Sequence, residues 1–507
     1  MQRLNAALLT LAFCACGGKK GDAPKPKEDA AGSPQVAPLT MPPSGVDKIA
    51  RMNFVYGDGW PAYDKAVAAK TKKDWATART LAEAAIAKDP YHLDAHRLLA
   101  TILAQAGEHA AAVDHLVTAL ADDYWKYGPS LAKDEDLKEF LATPHGQSVA
   151  ALAQKIHDDY QKRIAGGVWL VGRRSSFKWA KDPGIQATTT RGELYAFDRE
   201  THRFLRLTHT DHKVAGFVRA PGGGEVAILG FDKVDHPKAD GDAATFVNAW
   251  VLILDTAEWK PVGPKVLLPA ARELAVGYGA GDQLLVSTAP AAGRWGVGEA
   301  TVASVDKSTG KTTKVATPAP VPRIALTLDE GRVVRTIDGI EAAWTGDPAT
   351  APTLKATGGT AIQIPESGAA AQASVALAPG GARLVFATAV DPCAKDLAPS
   401  LYVADAKKAT VKHVLTAASR FPTRWIDATT LAYEDGEGAI RLWDASIGRE
   451  VQKLDNKVGI ALDVLSLAPA PLCKGAPPAV DAGSGSADEP LPPEEGAGSA
   501  GPVTAPQ

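Results

Sequence analysis

The stretch LILD at residues 252–255 shows the pattern that decides the fold of most of this chain. It is a short apolar strand that ends in an aspartate, and polar turn residues follow before a second strand resumes. An aspartate suits this position because its carboxylate can accept a hydrogen bond from the turn backbone two residues later. The same pattern recurs at residues 195–198, 303–306, 402–405 and 442–444, with a degenerate copy at residues 343–347.

The spacing of these copies, about 40–60 residues, is typical of a β-propeller with four antiparallel strands in each blade. We therefore predict an all-β propeller, six-bladed, over residues 166–470. Two proline-glycine turns, within residues 220–228 and 378–386, separate predicted strands. The first blade begins with residues 168–171 and lacks an inner partner, and residues 460–467 form a leftover strand. We expect that last strand to complete the first blade and so remove the open sheet edges.

Two families share parts of this pattern. Residues 430–453 resemble a WD-repeat (WD40-like) blade, with the Trp443-Asp444 pair in its usual place. The proline-glycine turns and the six blades resemble more closely the propeller of the TolB family of periplasmic Tol-system proteins. The resemblance covers the blade repeats and implies a propeller fold rather than a subfamily.

A second period occupies the region before the strands. Four positions recur at a step of about 34 residues, which is the period of tetratricopeptide (TPR) repeats with two antiparallel helices each. The recurring positions are Trp75, Ala78, Ala85 and Pro90, followed by His109, Ala112, Ala119 and Tyr124. The stretch resembles a pair of TPR repeats, and residues 134–164 read as a helical cap. We predict a TPR-like helical domain over residues 46–165, so the fold class is α+β multidomain.

The TPR-like repeats suggest a binding groove. By repeat position, its concave face carries Trp60, Tyr63, Lys70, Arg97, Thr101 and Gln105. The family's clamp for C-terminal carboxylates requires lysine and asparagine where Tyr63, Val67, Arg97 and Thr101 stand, so that ligand class is not supported. We expect Tyr63 and Arg97 to be exposed. The alternative is that these helices serve only to dock on the propeller.

The N-terminus reads as a secretion signal. Residues 4–15 are apolar but too short to span a bilayer. The sequence that ends at Cys16 resembles a bacterial lipobox, which implies a signal peptide over residues 1–15, lipidation of Cys16 and a membrane anchor. Gly17 after the cysteine implies the outer membrane, with a periplasmic or cell-surface orientation. Residues 16–45 and 471–507 are expected to form a disordered tether and a disordered acidic tail.

Residues with catalytic or metal-binding chemistry are sparse. The histidines His92 and His96 share a helix face without an evident third ligand, and Gly310-Lys311-Thr312 is interpreted as a hairpin turn. Charged residues in predicted loops could line one propeller face, although solvated loop charge is the favoured interpretation. These residues are His209, Asp211, His212, Asp232, Asp235, Asp240 and Asp242. No catalytic motif, metal site or cofactor is predicted. Enzymatic activity is not excluded, because propeller active sites assemble from scattered loops.

The two cysteines that would remain in the mature chain are Cys393 and Cys473. An even pair in an oxidising compartment favours a disulfide. Propeller topology, in contrast, places the two ends on opposite faces unless the loops are long, so both states stay open.

The composition agrees with a folded protein, with 45% hydrophobic and 22% charged residues. The net charge of -3 gives no reason to expect a nucleic-acid partner. We therefore expect a cell-envelope lipoprotein that acts as a non-enzymatic protein–protein interaction scaffold, with an unidentified envelope protein or peptide as partner. The alternative is a propeller that binds or hydrolyses a small ligand, such as a glycan or peptide, at its face.

Overall fold

The structure is a computed structural model, and the part of it that can be described consists of defined segments. They are residues 38–52, 57–172, 175–178, 186–235, 244–293, 296–315, 324–329, 332–337, 342–345, 353–356, 358–363, 375–388, 400–416, 421–454, 460 and 462–464. The chain divides into two compact units, Met1–Pro38 and Leu39–Gln507, and the described helices and strands lie in the second.

The helices come first along the chain. They are α1 (Trp60–Thr71), α2 (Trp75–Lys88), α3 (Leu93–Gln105), α4 (His109–Asp122), α5 (Tyr124–Leu131), α6 (Lys138–Leu141) and α7 (Pro144–Gly166). Short 3-10 helices lie at Ile49–Met52, Glu135–Leu137 and Ala280–Asp282. Side-chain caps determine where several helices begin. Asp74 accepts a hydrogen bond from the Thr77 backbone amide at the start of α2. Thr143 caps α7 in the same way and Pro144 follows at the first helical position.

The first four helices form two antiparallel hairpins, α1 with α2 and α3 with α4, that pack side by side. The helices α2 and α4 begin at Trp75 and His109, as the period predicts. Gly107 separates α3 from α4 with a positive φ of 77°, which a residue with a Cβ rarely adopts. The small residues of the repeat let the helices approach closely, since each is fully buried. These residues are Ala78, Ala85, Ala112 and Ala119.

The long helix α7 packs against α4 and carries the chain to the first strands. The Tyr160 hydroxyl donates to the Ala121 carbonyl at 2.8 Å, which ties α7 to the end of α4. The indole of Trp169, on the first strand, donates to the Ile164 carbonyl at 3.1 Å. Buried apolar residues of the helices and of the first sheet belong to one continuous core.

Short antiparallel strands make up the rest of the described chain. The first are β1 (Val168–Val171), β2 (Ser175–Lys178), β3 (Gln186–Arg191), β4 (Leu194–Asp198), β5 (Arg203–Arg206), β6 (Val214–Arg219), β7 (Glu225–Gly230), β8 (Lys233–Asp235), β9 (Thr245–Val247), β10 (Trp250–Asp255) and β11 (Val266–Leu267). Next come β12 (Glu273–Tyr278), β13 (Leu284–Ala289), β14 (Ala291–Ala292), β15 (Gly296–Val297), β16 (Thr301–Val305), β17 (Thr312–Lys314), β18 (Ile324–Asp329), β19 (Arg332–Ile337), β20 (Ala342–Thr345), β21 (Thr353–Ala356) and β22 (Ile362–Gln363). The last are β23 (Val375–Leu377), β24 (Arg383–Thr388), β25 (Ser400–Asp405), β26 (Thr410–Thr416), β27 (Pro422–Trp425), β28 (Thr430–Glu434), β29 (Ile440–Asp444), β30 (Arg449–Lys453) and β31 (Asp463–Val464).

These strands form sheets that follow one another in chain order. Meandering sheets have the strand orders β1-β4-β5, β11-β10-β7-β6, β20-β21-β22, β23-β24-β25-β26 and β30-β29-β28-β27-β31. Another sheet has the order β17-β16-β13-β12-β18-β19, because β12 pairs with both β13 and β18. Successive antiparallel meanders are the strand order of propeller blades. The prediction of helices followed by an antiparallel β region is confirmed, whereas the number of blades stays a prediction.

The aspartates that end strands accept the turn-backbone hydrogen bonds that the pattern predicts. Asp255 Oδ1 accepts hydrogen bonds from the backbone of Ala257 and Glu258 at 2.9 and 2.8 Å. Equivalent bonds, each from the residue two positions later, are made by Asp198, Asp306, Asp405 and Asp444. Donors from Ser308 and Thr309 lower the pKa of Asp306 to about 2. The degenerate copy at Asp347 lies outside the described residues.

Both predicted proline-glycine turns lie between paired strands, β6 with β7 and β23 with β24. In each, a glycine with positive φ occupies the turn, Gly223 at 75° and Gly380 at 85°. The loop at Gly310 is likewise the hairpin turn between β16 and β17, as its sequence predicts.

The described part of the last predicted strand touches both ends of the β region. Ile460 makes an isolated antiparallel bridge to Gly172, directly after β1. The strand β31 then pairs with Pro422 and Thr423 of β27 and forms the edge of the last sheet. Residues 465–467 lie outside the described residues, so completion of the first blade by this segment stays a prediction.

The chain enters the fold just before α1. Val46 forms an antiparallel bridge with Phe204 at the free edge of β5, and the Gly45 amide donates to the Ala121 carbonyl at 2.8 Å. Arg163 and Arg203 donate to the carbonyl of Ser44, which is buried. The last residues of the predicted tether therefore already belong to the packed structure.

Candidate functional site

The six residues predicted for the concave face lie on α1 and α3, and we call this set the groove face. At its N-terminal end Trp60 stacks on His92 with 6.0 Å between ring centroids, and Tyr63 packs on the same histidine at 4.7 Å. His92 is fully buried and caps α3 by accepting from the Ala95 amide at 3.3 Å. Burial, with Asp94 nearby, raises the pKa of Tyr63. These rings form a half-buried aromatic cluster that joins the two hairpins.

The remaining groove-face residues contact an acidic segment of the same chain, residues 134–137, which we call the acidic turn. Lys70 Nζ on α1 lies 2.6 Å from Asp136 Oδ2. Arg97 on α3 pairs with the Asp134 carboxylate and also donates to the Thr101 hydroxyl at 2.8 Å. Gln105, at the end of α3, donates to the Asp136 backbone carbonyl. The acidic turn thus crosses the face that the sequence analysis assigned to a ligand.

The expectation that Arg97 is exposed is wrong. Its side chain is 12% exposed because Asp134 covers it, and Thr101 is buried beneath the same contact. Tyr63 is half-buried against Trp60 and His92 rather than free in solvent. The repeat positions place the six residues on α1 and α3, and their role as a binding groove stays a prediction. The turn that contacts them comes from a segment that shows no repeat.

A second cluster of charges lies where the helices meet the first sheet, and we call it the junction network. It consists of Asp123, between α4 and α5, together with Glu193, Arg206, Thr208 and His209 of the β region. His209 Nε2 lies 2.9 and 3.1 Å from the two oxygens of the Asp123 carboxylate. The guanidinium of Arg206 lies between two carboxylates, 3.6 Å from Asp123 and 3.3 Å from Glu193.

The junction network is buried and well supplied with hydrogen bonds. Asp123 and Glu193 are both fully buried, and the Arg206 side chain is 7% exposed. Glu193 accepts from the hydroxyl of Thr208 and from the backbone amides of Thr210 and His212. Burial alone would raise the pKa of Asp123, but His209 and Arg206 outweigh it and the pKa lies below its usual value. This geometry suits a structural joint, because each buried charge has a partner of opposite sign.

Beside the network, the pKa of Asp122 shifts in the direction opposite to that of Asp123. Burial and the neighbouring Asp123 raise the pKa of Asp122 to about 7, although Arg203 lies 3.5 Å away and opposes the shift. The predicted site residues do not include Asp122, Asp123, Glu193 or Arg206. No local pattern marks them, because their partners lie far away in the chain.

The charged loop residues form surface pairs among themselves. Lys213 Nζ lies 3.5 Å from Asp211 and 3.3 Å from Asp232, and Lys233 pairs with Asp235 at 3.0 Å. His209 and His212 are exceptions, because the His209 ring pairs with Asp123 and the His212 amide donates to Glu193 in the junction network. Asp240 and Asp242 lie outside the described residues. Within the described segments, no three histidine, cysteine or acidic side chains are grouped so that they could hold a metal ion.

The histidine pair on α3 serves packing. His96 is buried, and its two ring nitrogens lie 2.9 Å from His115 Nδ1 and 3.1 Å from the Pro90 carbonyl. The predicted lipidation site Cys16, the cysteines Cys393 and Cys473, and the acidic tail all lie outside the described residues. Among the residues that are described, a search for helices long and apolar enough to cross a membrane finds none.

No protein-family model matches this chain. No curated protein matches it either. Among solved structures, the chain is similar to the tricorn protease (11% identity, TM-score 0.30), of which it spans 26% with 58% of its own length. It is also similar to TolB from Acinetobacter baumannii (11% identity, TM-score 0.28, 64% of this chain and 71% of that one). A third is Porphyromonas gingivalis dipeptidyl peptidase 4 (9% identity, TM-score 0.26, 56% of this chain and 50% of that one).

Proposed function

We propose that this protein is a cell-envelope lipoprotein that acts as a protein–protein interaction scaffold through TPR-like helices and a six-bladed β-propeller. The observation that carries the proposal is the groove face, which gathers aromatic, cationic and amide side chains from both helical hairpins on one surface. Tryptophan, tyrosine and arginine are the residue types enriched where binding energy concentrates. The face is therefore chemically suited to a protein or peptide partner.

The junction network supports the same proposal, because a scaffold needs its binding surface held rigidly. Arg163 on α7 pairs with Asp198 on β4 at 2.5 Å, close to the buried contacts of Asp123. Together with the shared apolar core, these pairs leave little freedom between the helices and the first sheet. A groove fixed in this way would present a partner in one orientation relative to the β region.

For the β region we propose a closed ring of WD40-like or TolB-like blades. Contacts between the first and last sheets favour closure: Arg199 donates to the Thr430 hydroxyl at 2.8 Å, and Ile460 bridges to Gly172. Closing the ring would leave no open sheet edge that could pair with another molecule. Deletion of residues 460–467 tests this, since an open ring should melt at a clearly lower temperature.

For the anchor we propose lipidation of Cys16 after removal of residues 1–15, which would place the protein on the outer membrane. Two or more acyl chains give the stable attachment that a single chain does not. Replacing Cys16→Ser should release the protein from membranes. The measurement is membrane fractionation after labelling with a palmitate analogue, and label retained by the variant would refute the assignment.

The interaction role is tested by capture of an envelope partner with the mature protein, followed by binding measurements with the purified partner. Lys70→Glu reverses a charge on the groove face, and Lys213→Glu does the same in a loop of the β region. The two lysines are matched, with side chains 31% and 32% exposed. We expect Lys70→Glu to weaken binding about tenfold, equal to about 1.4 kcal/mol, and Lys213→Glu to change it little. The opposite result would favour a site on the β region.

That opposite result is the alternative function, binding or hydrolysis of a glycan or peptide at the propeller face. It depends on loop residues such as Asp240 and Asp242, which lie outside the described residues. No contact among the described residues favours it over the scaffold.

A further inference from the structure

We propose that the groove face recognises an acidic segment of its partner, and that the acidic turn occupies this site in the free protein until the partner displaces it. The inference rests on the proposed scaffold function, because it names the ligand class of the same surface. The acidic turn would then occupy the ligand site in the free protein and would control the partner's access to that site.

The contacts of the turn define what the site selects. Asp136 receives the Lys70 ammonium from the first hairpin, and its backbone carbonyl receives Gln105 from the second. Asp134 pairs with Arg97 of the second hairpin. The groove face therefore binds two carboxylates whose residues are separated by one position in the sequence. It also contacts a backbone carbonyl, which any peptide can supply.

The middle acid of the turn has a different role. The Glu135 side chain is 84% exposed and is paired with Lys138 at 3.5 Å, a neighbour on its own segment. In the described part of the chain its carboxylate forms no ion pair with the groove face, whereas the carboxylates of Asp134 and Asp136 do. Selection therefore depends on position rather than on negative charge in general. Glu135→Gln therefore serves as a control, because it removes one negative charge from the acidic turn and leaves both groove-face ion pairs in place.

The turn holds its own shape through local bonds. The Asp136 amide donates to Asp134 Oδ1 at 3.0 Å, and the Leu137 amide donates to the Asp134 carbonyl at 3.0 Å. Leu137 itself is fully buried, which anchors the C-terminal end of the turn. A turn anchored at one end can leave the groove face without unfolding the hairpins.

Exchange with a partner is favoured by the partial exposure of these ion pairs. The Lys70 and Asp136 side chains are 31% and 43% exposed, and Asp134 is 28% exposed, whereas its partner Arg97 is 12% exposed. The pair of Lys70 with Asp136 is therefore the one that water reaches most easily. Ion pairs that water reaches contribute little net stability, because water replaces much of the lost interaction when the pair opens. A partner segment that offers the same two carboxylates and also contacts Trp60 or Tyr63 would outcompete the turn.

The test uses the full mature chain with Cys16→Ser and a fluorescent peptide of residues 130–141, SLAKDEDLKEFL, as the acidic probe. A second peptide carries asparagine at the positions of Asp134 and Asp136. We expect the protein variant Asp134→Asn with Asp136→Asn to bind the acidic peptide at least about tenfold more tightly than the unmodified protein, since its groove face is no longer occupied. Glu135→Gln should bind like the unmodified protein, and the asparagine peptide should bind neither.

Circular dichroism checks that the double variant is folded. Should it not fold, the single variant Asp136→Asn answers the question: it removes one charge, as Glu135→Gln does, and it alone should bind the acidic peptide more tightly than the unmodified protein. Equal binding of both peptides, or equal affinity of Asp136→Asn and Glu135→Gln for the acidic peptide, would overturn the inference. A purified partner that needs Lys70 but binds the double variant and the unmodified protein equally would overturn it while leaving the scaffold function intact.

Discussion

Ion pairs occur in the junction network and also between the groove face and the acidic turn, and these two sets of ion pairs differ in burial. In the junction network Asp123 and Glu193 are inaccessible to water, whereas Lys70 and Asp136 on the groove face are each about one-third or more exposed. Burial removes the hydration that would otherwise replace a lost partner. The difference indicates that the first set is a permanent joint and the second an exchangeable contact.

The largest loss of stability should follow from removing the arginine of the junction network. Arg206→Ala leaves Asp123 and Glu193 buried next to each other without their shared cation, and we expect a loss of about 3–5 kcal/mol in the free energy of unfolding. Urea denaturation followed by circular dichroism measures it. Arg199→Ala is the control, because this arginine is 41% exposed and its removal should cost about 1 kcal/mol or less. Similar losses for both variants would contradict the distinction.

A smaller effect, dependent on pH, is expected at the edge of the joint. The folded protein raises the pKa of Asp122 to about 7, well above the usual value of 3.8. Between these pH values the folded chain holds a proton that the unfolded chain has lost, so this group's contribution to stability decreases as the pH rises toward 7.

Asp122→Asn removes that titration. We expect the variant to be more stable than the unmodified protein at pH 8, by about 1 kcal/mol once the lost Arg203 pair is counted, and to show no gain at pH 5. Thermal or urea denaturation at both pH values measures the difference. A gain that is the same at both values would show that packing, rather than charge, is responsible.

The smallest effect should come from the groove face. Lys70→Ala removes the pair with Asp136, and since both side chains are reached by water we expect a loss of about 0.5 kcal/mol in the free energy of unfolding. The same denaturation experiment applies. A loss comparable to that of Arg206→Ala would mean that the acidic turn is an integral part of the core.

The same contrast explains what the sequence could predict. The starts of α2 and α4 and the aspartate turns depend on neighbours within a few residues, so their patterns are visible along the chain. The six groove-face residues were likewise predicted from repeat position, and their binding of a partner stays a prediction. Asp123 and Arg206, in contrast, meet only through the docking of the helices on the first sheet, which no local pattern encodes. The cover that the acidic turn places over Arg97 was missed because residues 134–137 carry no repeat.

Amide hydrogen exchange on the unmodified mature protein tests the distinction between the two regions most directly. The amides of Asp136 and Leu137, bonded within the acidic turn, should exchange through local opening at a free energy well below that of global unfolding. The amides of Leu194, bonded to Thr208, and of Phe204, bonded to Val46, lie beside the junction network and should exchange only with global unfolding. Equal protection of the turn and the joint would contradict the account.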